Sequence, residues 1–196
     1  MGEQLCLIQQ IRAVCVAFQL PGLYKGYDTI NSGHINSTYR VFFENGGKVE
    51  SYLLQRVNTN VFKNPYDVME NIASVTEYVR NKLHKQGVSS ERRALHYYTT
   101  KDGTYYVTFS DKGFWRCCSY IDDSISPTDT DDLKLIEETG KAFGEFQVLL
   151  DDYPVKNLHI TIQHFHNTIR RFDALNTALA DNKMGRKKEE IGRAHV

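Results

Sequence analysis

Apolar residues recur at helical spacing in four stretches of this chain and at strand spacing in five. The first helical stretch, residues 4–18, is interrupted by Gln9, Gln10 and Arg12, which suits an amphipathic helix too short to span a bilayer. It leads through Leu20-Pro21-Gly22 to a strand and turn, Ser32-Gly33-His34-Ile35-Asn36-Ser37-Thr38-Tyr39-Arg40-Val41. A second strand, Ser51-Tyr52-Leu53-Leu54-Gln55-Arg56-Val57, follows the hairpin turn Asn45-Gly46-Gly47. Asn64-Pro65 opens a helix whose Val68, Met69, Ile72, Val75 and Val79 share a face, and Gln86-Gly87 stops it.

Three short strand-like runs come next, 94–99, 105–109 and 114–121, separated by Lys101-Asp102-Gly103 and Ser110-Asp111-Lys112-Gly113. Residues 122–132 are polar and contain Pro127, the composition of a linker between lobes. Thr130 or Asp131 then caps a long helix reaching about residue 153, with Leu133, Ile136, Gly140, Phe143, Gly144, Gln147 and Leu150 on one stripe. Gly140 and Gly144 lie one turn apart, a pairing that predicts close approach of another backbone, because Gly is otherwise a poor helix residue. A last helix covers about 168–179. The pattern predicts an α+β fold: an antiparallel sheet with a packed helix in residues 1–121, a linker over 122–132, and the first helices of a second lobe in 133–190.

Composition narrows the function classes. Of 196 residues, 41% are hydrophobic, enough for a packed core, and 24 basic residues balance 24 acidic ones. That balance gives no field to draw nucleic acid or a membrane surface, and Arg186-Lys187-Lys188 reads as a solvated helix face. Cys6, Cys15, Cys117 and Cys118 form no Cys-x-x-Cys pair and no secretory signal precedes them, so reduced thiols in the cytoplasm are expected. Cys117 and Cys118 should face opposite sides of a strand, one towards the core and one towards solvent. His164 and His166 have no third ligand at a spacing that suits zinc.

The region 31–72 carries the candidate chemistry. A phosphate-holding turn needs backbone that approaches closely, a cation on a neighbouring strand, and a helix carboxylate that aims the cation. Ser32, Gly33 and Asn36 supply the turn, Arg56 ends a strand, and Glu70 sits in the first turns of the following helix. A plain hairpin with an Arg56–Glu70 surface pair is the simpler reading of the same residues.

Several longer motifs bear on that choice: Gly33-His34-Ile35-Asn36-Ser37-Thr38-Tyr39, then Leu53-Leu54-Gln55-Arg56-Val57-Asn58-Thr59-Asn60-Val61-Phe62-Lys63-Asn64-Pro65, then Met69-Glu70-Asn71-Ile72. Lys101-Asp102-Gly103, Trp115-Arg116, Gly140-Lys141-Ala142-Phe143-Gly144-Glu145-Phe146-Gln147 and Phe165-His166-Asn167-Thr168 continue the series. Together they resemble the aminoglycoside-phosphotransferase-like small-molecule kinases, most closely the N-acetylhexosamine 1-kinase branch. The resemblance implies a protein-kinase-like fold that moves the γ-phosphoryl group of ATP, with Mg2+, onto the anomeric hydroxyl of an N-acetylhexosamine. It implies that Ser32, Gly33, Asn36 and Arg56 bind the nucleotide, with Glu70 as the partner of Arg56. Residues 115–121 would lead into the hinge beside the adenine.

The sequence also departs from that family. It contains no His-Gly-Asp catalytic loop and no later metal-holding Asp, since Asp129 and Asp131 precede a helix, where capping explains them. The chain itself is therefore expected to be inactive as a kinase, with the catalytic base and metal ligand belonging to a longer parent. Residues 191–196, Ile-Gly-Arg-Ala-His-Val, can be read from ATC GGA AGA GCA CAC GTC, which resembles a sequencing-library adapter, so this tail is expected to be foreign to the fold. The alternative from another class is a non-catalytic module that binds a nucleotide or a partner. No Cys-x-Pro-x-Arg sulfatase signature is present, which argues against a desulfating activity.

Overall fold

A computed structural model describes residues 2–109, 113–125, 127 and 129–188. The α+β expectation holds. Helix α1 (Gly2–Ala17) precedes strands β1 (Leu23–Ile30), β2 (Ser37–Asn45) and β3 (Lys48–Val57), and α2 (Pro65–Lys85) precedes β4 (Val107–Phe109) and β5 (Gly113–Ser119). Helix α3 (Leu133–Leu149), a short 3-10 turn (Val155–Asn157) and α4 (Thr168–Asp181) follow. The five strands form one antiparallel sheet in the order β1-β2-β3-β5-β4.

Side chains alternate across a strand, so each face of this sheet has its own core. On one face Ile11, Val14, Cys15 and Phe18 of α1 and its exit pack on Tyr39, Val41, Phe43, Tyr52, Leu54, Trp115 and Cys117. On the other, Met69 of α2 packs with Val57, Tyr97, Phe114 and Cys118. Because both faces are covered, the inner strand β5 buries adjacent pairs, Phe114-Trp115 and Cys117-Cys118, on either side of the half-buried Arg116, rather than alternate residues. This corrects one expectation: Cys117 and Cys118 do face opposite sides, but both are buried. Burial pushes the Cys118 thiol up to about 11 and the Cys15 thiol up to about 12, and raises that of Cys117.

Differences from the sequence reading have local causes. Strand β1 lies ahead of the expected first strand; Gly26 and Asp28 weaken its propensity, and its register shifts between Tyr24 and Gly26. The run 94–99 is no full strand, since it meets β5 through a single bridge, Tyr97 to Cys118, and two flanking backbone bonds from Tyr98 and Ser119. The chain enters β1 at Gly22, whose φ is +95° and where a Cβ would lie 2.4 Å from the carbonyl oxygen of Glu44.

Helix α3 is capped by Asp132 instead of Thr130 or Asp131. Its carboxylate accepts from the amides of Lys134 (2.9 Å) and Leu135 (3.4 Å), while the Thr130 hydroxyl accepts from the Asp132 amide. The helix ends at Leu149, short of the expected residue 153. No residue of α3 is buried, and a Cβ at Gly140 or Gly144 would meet nothing within 4 Å, so the expected close backbone approach is not made among the described residues.

The chain divides into two compact units, 1–161 and 162–196. In the second, Asn167 caps α4 by accepting from the Arg170 amide, and Asn182 ends it in the left-handed conformation. Among the described residues no helix is long and apolar enough to cross a membrane. Residues 191–196, and with them the adapter reading, lie outside the described residues.

Candidate functional site

The connection between β1 and β2, residues 31–36, is short and polar. Ser32 and Gly33 are exposed, with open space beside Gly33. Asn36 fixes the turn: its side-chain oxygen accepts from the Asn58 amide at 3.0 Å, just past the end of β3. Asn58 is itself braced, accepting from the Asn60 amide through its side chain and from Val61 and Phe62 through its carbonyl. Beneath lies a cavity of about 250 Å3 lined by Ile35, Ser37, Arg56, the segment 57–60 and Gly113. Gly113 has φ +85°, and a Cβ there would fall 2.6 Å from Nε of Arg56.

The structure does not bring Arg56 and Glu70 together. Gln55, next to Arg56, contacts the α2 side of the sheet through Arg116, whose Nη1 lies 3.9 Å from the Met69 sulfur. Alternation therefore turns Arg56 to the opposite face. The expected Arg56–Glu70 pair is thus corrected: Glu70 hydrogen-bonds His159 at 2.7 Å, and Arg56 is exposed without a carboxylate partner among the described residues. On the α2 face a polar row crosses the sheet through consecutive register pairs, Thr38 opposite Gln55 and Gln55 opposite Arg116. The Gln55 amide donates to the Thr38 hydroxyl (3.2 Å), and its oxygen accepts from Nε (2.9 Å) and Nη2 (2.8 Å) of Arg116.

Glu70 belongs to a clip that sequence reasoning missed. Polar residues one turn apart along α2 hold the segment after α3. Asn71 exchanges two 2.9 Å bonds with the backbone of His159, Ser74 meets the Tyr153 hydroxyl at 2.6 Å, and Tyr78 donates to Asp152. Lys82 pairs with Asp151 (3.0 Å) and Asp152 (2.6 Å). The Lys82 ammonium and then the Tyr78 hydroxyl hold the Asp152 carboxyl below the usual carboxylate range. These partners lie 69 to 89 residues apart, and no local pattern announces them.

Ligand atoms of Asp67, Glu70 and His159 lie within 4.8 Å of one another. The set does not fit magnesium, which asks for an octahedron of oxygens, because one member is an imidazole already hydrogen-bonded to Glu70. No metal-dependent step follows from this geometry. His164 and His166 sit in a turn of the second unit, where the His166 ring meets Phe165 edge-on. Asp129 and Asp131 are exposed. A second, open cavity, about 450 Å3 and mainly apolar, lies between α2 and the 93–97 segment and is also lined by Phe146 and Leu158.

A scan against protein-family models finds no match for this chain. Its functional reading therefore rests on the motifs and on this geometry.

Proposed function

We propose that this chain is the nucleotide-holding part of an ATP-dependent small-molecule phosphotransferase, with an N-acetylhexosamine as the acceptor of the complete enzyme. One observation carries the reading. The sheet runs β1-β2-β3-β5-β4, the β1–β2 turn is tethered to the end of β3 through Asn36 and Asn58, and α2 follows in the connection to β4. Protein kinases lay a turn over the phosphates, a cation on the third strand and a carboxylate on the next helix in the same sequential order. Two arginines stand on the strands that follow the turn, Arg56 of β3 on one face of the sheet and Arg116 of β5 on the other. Ser32, Gly33 and Asn36 form the turn itself, and Glu70 serves the clip to His159.

For this polypeptide the reading is binding without transfer. The sequence holds no His-Gly-Asp, and the Asp67–Glu70–His159 set does not suit magnesium, so the chain lacks the base that would orient an acceptor hydroxyl, and the arginines at the phosphates have no metal site beside them among the described residues. Titration calorimetry of the 196-residue chain with ATP, alongside an assay of phosphate transfer to N-acetylglucosamine, tests both halves. Saturable ATP binding with no transfer is expected; absence of binding sinks the reading, and turnover refutes the claim of inactivity.

A further inference from the structure

We infer that Arg116, rather than Arg56, is the cation that receives the phosphates of a nucleotide, a refinement that rests on the nucleotide-binding reading above. Arg116 is half-buried, yet among the described residues it has no carboxylate partner. The groups around its guanidinium are neutral: the Gln55 oxygen, the Met69 sulfur at 3.9 Å and the Tyr97 ring at 5.9 Å. A guanidinium presents five N–H donors in a planar fork. Gln55 takes one bond from Nε and one from Nη2 through a single oxygen, which aims the fork without neutralising it. The remaining donors face no oxygen acceptor among the described residues.

Among the half-buried cations of this unit, Arg80 on α2 likewise has no carboxylate partner among the described residues, but of the two only Arg116 lies on the sheet with its fork aimed by a neighbouring side chain. Arg40 is paired with Asp122, and Lys82 with Asp151 and Asp152. Taking a cation partly out of water without an anion is unfavourable, and an incoming phosphate would reverse that imbalance through charge-assisted, bidentate bonds. Arg56 has no such imbalance, because it is exposed and water solvates it.

Position points the same way. Thr38, Gln55 and Arg116 form one row, and the row starts two residues past Asn36, the anchor of the β1–β2 turn. On that face Ile30, opposite Thr38 at one end of the row, is half-buried. The Arg56 face is closed over its centre by α1, and its cavity of about 250 Å3 falls below the roughly 300 to 1,000 Å3 of small-molecule sites.

The experiment is calorimetric titration of the full chain and its variants with ATP, tripolyphosphate and adenosine. Arg116→Met should weaken ATP and tripolyphosphate by about tenfold or more and leave adenosine within about twofold, the loss expected for charge-assisted bonds. Arg116→Lys, which keeps the charge and loses the fork, should fall between, and it carries the test if the methionine variant does not fold. Arg56→Met should bind all three like the parent chain. A tenfold loss in Arg56→Met with Arg116→Lys and Arg116→Met unchanged overturns the assignment while leaving the nucleotide reading intact. Binding of adenosine with no gain from its phosphates also overturns the assignment, and a parent chain that binds none of the three overturns both.

Discussion

Helices α1 and α3 are nearly equal in length, 16 and 17 residues, and both carry apolar side chains at helical spacing. They end up in opposite environments. Ile11 and Val14 of α1 are wholly buried against the sheet, whereas Leu133 and Phe143 of α3 are 79% and 68% exposed. An amphipathic pattern states that a helix has a face to bury; the neighbouring element decides whether it is buried. Strands β2, β3 and β5 supply that neighbour for α1, and α2 covers the reverse of the same sheet. The chain after α3 is held by polar bonds that run along α2 from Glu70 to Lys82, with one ring contact between Tyr78 and Tyr153.

The contrast makes its largest prediction in the cores. Trp115 is 0% exposed at the centre of the sheet, so Trp115→Ala should cost about 3–5 kcal/mol, measured as a shift of the urea midpoint. Phe143→Ala on α3 should stay within about 0.5 kcal/mol. Comparable costs at the two positions would mean that α3 is packed in solution, and the contrast would fail.

A second difference lies in buried thiols, which α1 and the covered sheet have and α3 lacks. Cys15, Cys117 and Cys118 are buried and titrate above their ordinary value, with Cys118 at about 11 and Cys15 at about 12. In the unfolded chain these thiols ionise near 9. Their contribution is therefore complete below pH 9 and is lost as pH rises past it, because the unfolded state then binds fewer protons. Each thiol should lower stability by about 1.4 kcal/mol per pH unit above that point. Urea midpoints between pH 9 and 10 should fall, and Cys15→Ala should flatten the slope; a flat profile in the parent chain would mean that the thiols are not buried as described. Thiol-reagent labelling of the native chain gives an independent check, since Cys6, which is exposed, should react before the other three.

How far the sequence carried the fold follows from the range of the forces involved. Helices α2 and α4 were legible within a few residues because apolar spacing, Pro65, Gly87 and Asn167 are local signals. Strand β1 was not, because Gly26 and Asp28 obscure it and its stability comes from pairing with β2. The Arg56–Glu70 pair failed for a reason of parity: a one-residue step along β3 exchanges Gln55 for Arg56 on the α2 face, and period-two alternation alone does not say which face a helix will cover. Glu70 could not be assigned to His159 from the sequence, since the two lie 89 positions apart. The turn at 31–36 was legible from its composition, but its tether from Asn36 to Asn58 depends on the register of β2 with β3.

The smallest effect separates spacing from contact most cleanly. Gly140 and Gly144 stand one turn apart in α3, the arrangement that in a sequence signals close helix approach. A Cβ at either position would meet no heavy atom within 4 Å, so here the glycines leave open space. If that is their state in solution, each acts only as a poor helix former, and Gly140→Ala should stabilise the chain by about 0.5–1 kcal/mol by restricting the unfolded backbone. Thermal unfolding followed by far-ultraviolet circular dichroism would register this as a small rise in Tm, with Gly144→Ala adding a similar step. A loss of stability in either variant would mean that another backbone does lie against this helix, and α3 would then belong with α1 among the covered elements.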